Sequence, residues 1–227
     1  MFTPATLDFL SENRFMNSRE WYQANRDTYK AVVLQPMIEF AEALAPTLEK
    51  IDPQIITEPK VDKTISRIYR DMRYARGELY RDEMWLSFKR DKHMYPGYPE
   101  FFFAFSPQSF CCGCGYYAAS AETMECLRQL VLTGHPAYLA AQKALDAQQV
   151  FFMDGDLYKR SKYPEQNAVR RNWLDRKNIC LLHEGARITD LFAPELAEKT
   201  AASFYAIRSV YALFIEAEQQ ANELKVF

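Results

Sequence analysis

Four arginines recur at every third position, Arg67, Arg70, Arg73 and Arg76, with Asp71 among them and Tyr80-Arg81 close behind. On an extended chain the side chains alternate. Arg67, Tyr69, Asp71 and Arg73 then share one face, and Ile68, Arg70, Met72 and Tyr74 the other. Two guanidinium groups flanking a carboxylate are oriented by it while they offer forked hydrogen bonds to a phosphate or carboxylate. A helix would instead spread the arginines around about half its circumference and blur the site. The same residues also suit a purely structural arginine–aspartate network. A second basic run, Lys159-Arg160-Ser161-Lys162, follows Asp154-Gly155-Asp156. Lys159 and Lys162 would add mobile point charges to the fixed forks, although such a run also describes a solvated face.

Charge is partitioned to match. Residues 60–92 hold ten Lys/Arg against six Asp/Glu, and residues 159–177 hold seven against two. The formal net charge of −2 therefore hides two positive stretches on an acidic remainder. If the stretches meet, they make a local field suited to an anion. A pI near 6.0 speaks against a dedicated nucleic-acid binder. Trp21, Tyr22, Tyr29, Tyr80 and Trp85 could stack on a base, but core packing is the commoner use of such rings.

Other chemistries find less support. Cys111-Cys112-Gly113-Cys114 on a strand would split its thiols between faces, and no second pair follows at zinc spacing. Cys126 and Cys180 stand alone in apolar patterns, so buried thiols are expected and no metal site. His93, His135 and His183 are scattered, with no nucleophile to pair with. No P-loop or dinucleotide fingerprint occurs, so classical nucleotide cradles are absent, and the cofactor is left unknown. Asp154 and Asp156 are read as turn residues before ion ligands. Asp71 and Tyr80 are the proton-transfer candidates, each without a visible activating partner, which leaves open whether the chain is an enzyme.

The elements that must carry these residues are legible in part. At 227 residues and 48% hydrophobic content, one domain spanning 1–227 is expected. Thr3-Pro4 opens a helix, and Asn17 with Glu20 has the spacing of a capping box. Val33, Met37, Phe40, Leu44 and Leu48 trace one apolar helical face, with Pro36 expected to kink or split it and Asp52-Pro53 to end it. Glu83 to Lys89, Phe101 to Phe105 and Phe110 to Tyr117 read as antiparallel strands, with a turn over His93 to Pro99. Helices follow at 121–132 and 136–147, short strands at 150–153 and 179–182, and a last helix through Leu196, Phe204, Tyr211 and Phe214. The N-terminus lacks a secretory pattern, no apolar run approaches span length, and the odd cysteine count shows no disulfide framework. A cytoplasmic protein without a membrane partner is expected.

The chain resembles an uncharacterised bacterial family, domain of unknown function 2461. The resemblance is carried by Asn17-Ser18-Arg19-Glu20-Trp21-Tyr22, by Arg67 to Tyr74 with Tyr80-Arg81, by Gly113 to Tyr117, by Gly155 to Arg160 and by Leu174 to Lys177. Glu78-Leu79 stands where the family pattern has Lys-Thr-Pro, and Lys162-Tyr163-Pro164-Glu165 departs from its Pro-Lys-Gly. The resemblance implies a shared fold and a choice of residues, with no activity to carry over.

The expectation is an α+β protein, a mainly antiparallel sheet packed with N-terminal and C-terminal helices. An anionic small molecule would sit in a cleft of Arg67, Arg70, Asp71, Arg73, Tyr80, Arg81, Lys159 and Lys162. The alternative is a non-catalytic interaction module for an acidic protein or nucleic acid. Oligomeric state is left open.

Overall fold

The structure is a computed structural model that describes residues 1–71, 73, 77–91 and 97–224. Arg76, Met72 and Tyr74 of the arginine motif, and His93 to Pro96 of the expected turn, lie outside the described residues.

The fold is α+β. Strands β1 (Met84–Phe88), β2 (Glu100–Phe105), β3 (Phe110–Gly115), β4 (Phe152–Asp154) and β5 (Cys180–Glu184) form an antiparallel sheet in the order β1-β2-β3-β5-β4. Phe152, Met153 and Asp154 pair with Leu182, Leu181 and Cys180. Period-two patterning builds β2: Phe101, Phe103 and Phe105 are buried while Phe102 and Ala104 are only partly so.

The chain clusters into two compact units. The first comprises Met1–Phe88, Phe102–Cys112 and Glu184–Ala202, and the second Lys89–Phe101, Gly113–His183 and Ser203–Phe227.

In the first unit, α1 (Pro4–Met16) begins as expected, with the Thr3 N–H donating to Thr6 Oγ1 at 3.1 Å. The expected capping box at Asn17 is not formed. Asn17 instead ends α1 with φ 44°, a left-handed conformation that asparagine tolerates, and Ser18 caps α2 (Arg19–Ala24) by accepting from Trp21 N–H. Nor does Pro36 split the long helix. Helix α3 (Arg26–Tyr29) runs through a π-turn, Lys30–Leu34, into α4 (Gln35–Ile51). The wide turn sits directly ahead of the proline, with the Gln35 N–H reaching back to Lys30 O, so the missing Pro36 donor is absorbed without a break.

This 26-residue helical run, Arg26–Ile51, is long enough to span a membrane, and an 18-residue window within it reaches a mean hydropathy of 1.2, against the expectation that no apolar run approaches that length. It is a core helix. Val33, Met37, Phe40, Leu44 and Leu48 are at most 3% exposed, whereas Lys30, Glu39, Glu42, Glu49 and Lys50 face water. Phe40 packs on Phe103 at 4.5 Å between ring centroids, and Phe2 on Phe105 at 4.7 Å.

The second unit is built from α5 (Ala121–Leu132), α6 (Pro136–Asp146), α7 (Ala168–Leu174) and α9 (Arg208–Leu224), with α9 packed on α5 and α6. The expected single last helix is two: α8 (Leu196–Ala206) and α9 meet at Ile207. Tyr116 donates its hydroxyl to Phe214 O at 2.6 Å, and Glu218 is buried as an acceptor from Thr123 Oγ1 at 2.7 Å. Helix α7 is not anticipated by the basic-run reading. Its signal is Asn167, whose side chain caps it by accepting from Arg170 N–H at 2.9 Å.

Candidate functional site

Around Tyr69 the described part of the arginine motif pairs as a ribbon and not as a helix. Tyr69 and Tyr80 form an antiparallel bridge, with Arg70 N–H donating to Leu79 O and Arg81 N–H to Ile68 O. Asn17 clamps this ribbon from the end of α1. Its Nδ2 donates to Gly77 O at 3.0 Å and its Oδ1 accepts from Leu79 N–H at 2.7 Å. Alternation places Ile68 in the core, while Tyr69 stays exposed.

The members of the motif have separate fates. Arg67 pairs with Asp62 on the surface. Arg73 makes a bidentate pair with Asp71 through Nε and Nη2, at 3.0 and 2.6 Å. Asp71 therefore orients Arg73 and not Arg67. Both sit at the surface, where such pairs contribute little to stability. Arg81 bonds Tyr69 O through Nε and lies 4.7 Å over the Trp85 ring, with no ion pair among the described residues.

Arg70 is held differently. Its Nε donates to Tyr80 O at 3.1 Å, and its Nη2 lies 3.1 Å from Glu78 and 3.9 Å from Asp82. Arg14 of α1 pairs with the same two carboxylates. The group of four is neutral in sum, and it fixes the guanidinium of Arg70 at the edge of a cavity of about 400 Å³. Arg19, Gln23, Tyr69, Arg70 and Leu79 line that cavity. Arg19 is exposed and makes no ion pair among the described residues, so its fork is open. Arg19 lies within the Asn17–Tyr22 segment that carries the family resemblance, and its signal is its place in the first turn of a helix that follows a tight Asn17-Ser18 corner.

A tyrosine triangle backs the cavity. Tyr22, Tyr69 and Tyr80 have pairwise ring-centroid distances of 5.4, 5.2 and 5.2 Å. Tyr80 is fully buried, and among the described residues its hydroxyl makes no hydrogen bond of good geometry, although the Tyr69 hydroxyl lies near enough to act on it. Burial, then the neighbouring Tyr69, push the Tyr80 phenol up to about 12, against which the charge of Arg19 works. Such a phenol stays protonated at neutral pH and cannot act as a base. Asp71 is the converse: its bonds to Arg73 hold it down at about 2, so it carries no proton to give.

Lys159 and Lys162 belong to the second unit. Lys159 is exposed, and Lys162 Nζ stands 4.0 Å from the Tyr158 ring centroid while its N–H donates to Asp175 Oδ1 at 2.9 Å. Arg176, from the same basic stretch, is consumed structurally: its guanidinium donates to Gly155 O, Met153 O and Asn172 O.

The cysteines are free thiols. Cys112, Cys114 and Cys126 are buried, and burial raises Cys112 to about 12. Among the described residues no three His, Cys, Asp or Glu side chains gather as ion ligands.

A family model described as "Conserved hypothetical protein (DUF2461)" matches residues 5–212. The chain belongs to this family. The match contains every element from α2 to α8 and all residues of the Arg19–Arg70 cavity. A search of curated proteins finds no match to this DUF2461 chain.

Proposed function

We propose that this DUF2461 protein captures a small anion, phosphate- or carboxylate-bearing, at the cavity between Arg19 and Arg70. The observation that carries the reading is the pairing of one fork with the other: Arg70, fixed by Tyr80 O and Glu78, beside Arg19, which makes no ion pair among the described residues. A preset guanidinium loses little freedom on binding, and an open one supplies the unspent charge. Tyr69 offers an exposed ring face to the organic part of such a ligand. Arg67, Asp71, Arg73 and Arg81 then act as the flanking field, while Lys159 and Lys162 remain candidates on the second unit.

The proposed setting is a bacterial cytoplasm. The bacterial source follows the family resemblance, and the compartment follows five unpaired thiols. A second reading, a polyanion-facing interaction surface, draws on Lys159 and Arg160, both exposed and without ion pairs among the described residues. Salt separates the two. A polyanion partner releases counterions, so its affinity falls steeply with salt, whereas a single small anion responds modestly. Titrating wild type with a short single-stranded oligonucleotide and with inorganic phosphate, at low and at physiological salt, decides between them. Steep salt loss for the oligonucleotide, with no saturable phosphate binding, would replace the first reading by the second.

A further inference from the structure

The second unit holds a cavity of about 620 Å³ lined by α6, α7 and the Leu157-Tyr158 segment. That size lies in the ordinary small-molecule range of roughly 300–1,000 Å³. One wall is apolar and unusually open to solvent: Leu157 is 54% and Val169 50% exposed, beside Leu145. Water-exposed aliphatic side chains gathered on one concave wall mark surface that a ligand would cover.

The other wall carries opposite charges that do not meet. Arg171 and Asp175 stand one helical turn apart at the end of α7, where such pairs ordinarily close on each other. Among the described residues Arg171 makes no ion pair here, and its buried Nε finds no hydrogen-bond partner. An orphaned charged donor is costly unless something else completes it. Asp175 is buried, and its Oδ1 accepts from Lys162 N–H at 2.9 Å. The rest of the lining is pinned: Trp173 Nε1 donates to Gln142 Oε1 at 2.7 Å, and Gln142 Nε2 to Asp146 Oδ1 at 2.7 Å. Tyr158 is pinned from its main chain, donating its N–H to Asp175 O at 2.8 Å.

We propose that this cavity binds a zwitterion with an apolar body, a hydrophobic amino acid or the equivalent short peptide. Its carboxylate completes Arg171, its ammonium faces Asp175, and its side chain covers Leu145, Leu157 and Val169. A simple anion would meet Asp146 and Asp175, and a simple amine would meet Arg171, so neither half-ligand uses the site fully. This site is separate from the Arg19–Arg70 cavity and takes a different chemistry.

The test is isothermal titration calorimetry of the full chain with L-leucine, L-leucyl-L-leucine, isopentylamine and 4-methylpentanoate. Saturable binding of leucine assigns a free amino acid, and binding of the dipeptide alone assigns a peptide; both half-ligands should bind at least roughly tenfold more weakly. Arg171→Gln should lose roughly tenfold or more for the zwitterion while leaving isopentylamine unchanged. Asp175→Asn, which keeps the acceptor for Lys162, should do the converse with 4-methylpentanoate. The Arg171 side chain bonds nothing among the described residues and leaves a buried donor orphaned, so Arg171→Gln should melt no lower than wild type, and Arg70→Ala should bind leucine normally. The proposal is overturned if neither zwitterion binds at millimolar concentration, if a half-ligand binds as tightly, if Arg171→Gln is without effect, or if Arg70→Ala abolishes binding.

Discussion

Arg70 donates its Nε–H to the carbonyl oxygen of Tyr80 across 3.1 Å, so a main-chain group on the paired strand fixes the direction of a charged fork. Because Tyr80 itself is buried among Tyr22 and Tyr69, that carbonyl has little freedom to move. Lysine in place of Arg70 would have a single charged nitrogen for every partner the guanidinium divides among three. Arg70→Lys is therefore expected to keep the fold within about 1 kcal/mol of wild type in chemical denaturation, since its ion pairs are partly solvated and lysine keeps the charge. Anion affinity should nevertheless fall by roughly tenfold or more. Equal affinity in Arg70→Lys would mean that charge alone matters there.

Asn17 joins α1 to the Gly77–Leu79 segment, and Leu79 lines the cavity. Asn17→Ala removes two hydrogen bonds and leaves a left-handed φ that alanine resists; a loss of about 1–2 kcal/mol is expected. Asn17→Gly relieves the backbone but not the clamp. Glycine should thus recover part of the stability and none of the anion affinity, as denaturant midpoints and titrations would register.

Much of the fold is legible because periodicity is strong where burial is strong. The run Val33 to Leu48 and the alternation of Phe101, Phe103 and Phe105 each name their own element. What was not legible depends on tertiary context. Pro36 looks like a breaker until the π-turn ahead of it is seen, and Asn17 looks like a helix start although it is a helix end. Two other observations lie beyond pattern reading. Arg67 and Arg73 are committed to nearby carboxylates, and the open fork at the cavity is Arg19, 48 residues before Arg67.

Among the described residues no well-formed hydrogen bond reaches the buried Tyr80 hydroxyl, which disfavours the folded state. Tyr80→Phe keeps the ring and removes the orphan, so its stability should equal or exceed that of wild type by up to about 1–2 kcal/mol. A loss larger than about 1 kcal/mol in urea would reveal a bond at that oxygen.

Alkaline pH should weaken the fold. Burial lifts Tyr22 and Tyr80 from 10.0 to about 12 and Cys112 from 9.0 to about 12. The unfolded chain gives up these protons first, so stability is intact below about pH 9 and declines as pH rises toward 12. Denaturation midpoints at pH 8 and 11, with phenolate absorbance, would follow it. A flat profile would show these groups titrating freely.

Gly155 turns the chain after β4 with φ 122°, and a Cβ there would strike the carbonyl of Asn178. Gly155→Ala should cost about 2 kcal/mol or more, because both the backbone and the close approach forbid a side chain. Its carbonyl also accepts from Arg176, so thermal melting should show loss of the second unit's structure first.

The most direct test is thermal shift of wild type, Arg19→Ala and Arg70→Ala against inorganic phosphate and a panel of phosphorylated and carboxylated metabolites. Capture between two forks requires that at least one compound raise the wild-type melting temperature saturably, and that either substitution abolish the rise. No rise with any compound, or an equal rise in all three proteins, would contradict it.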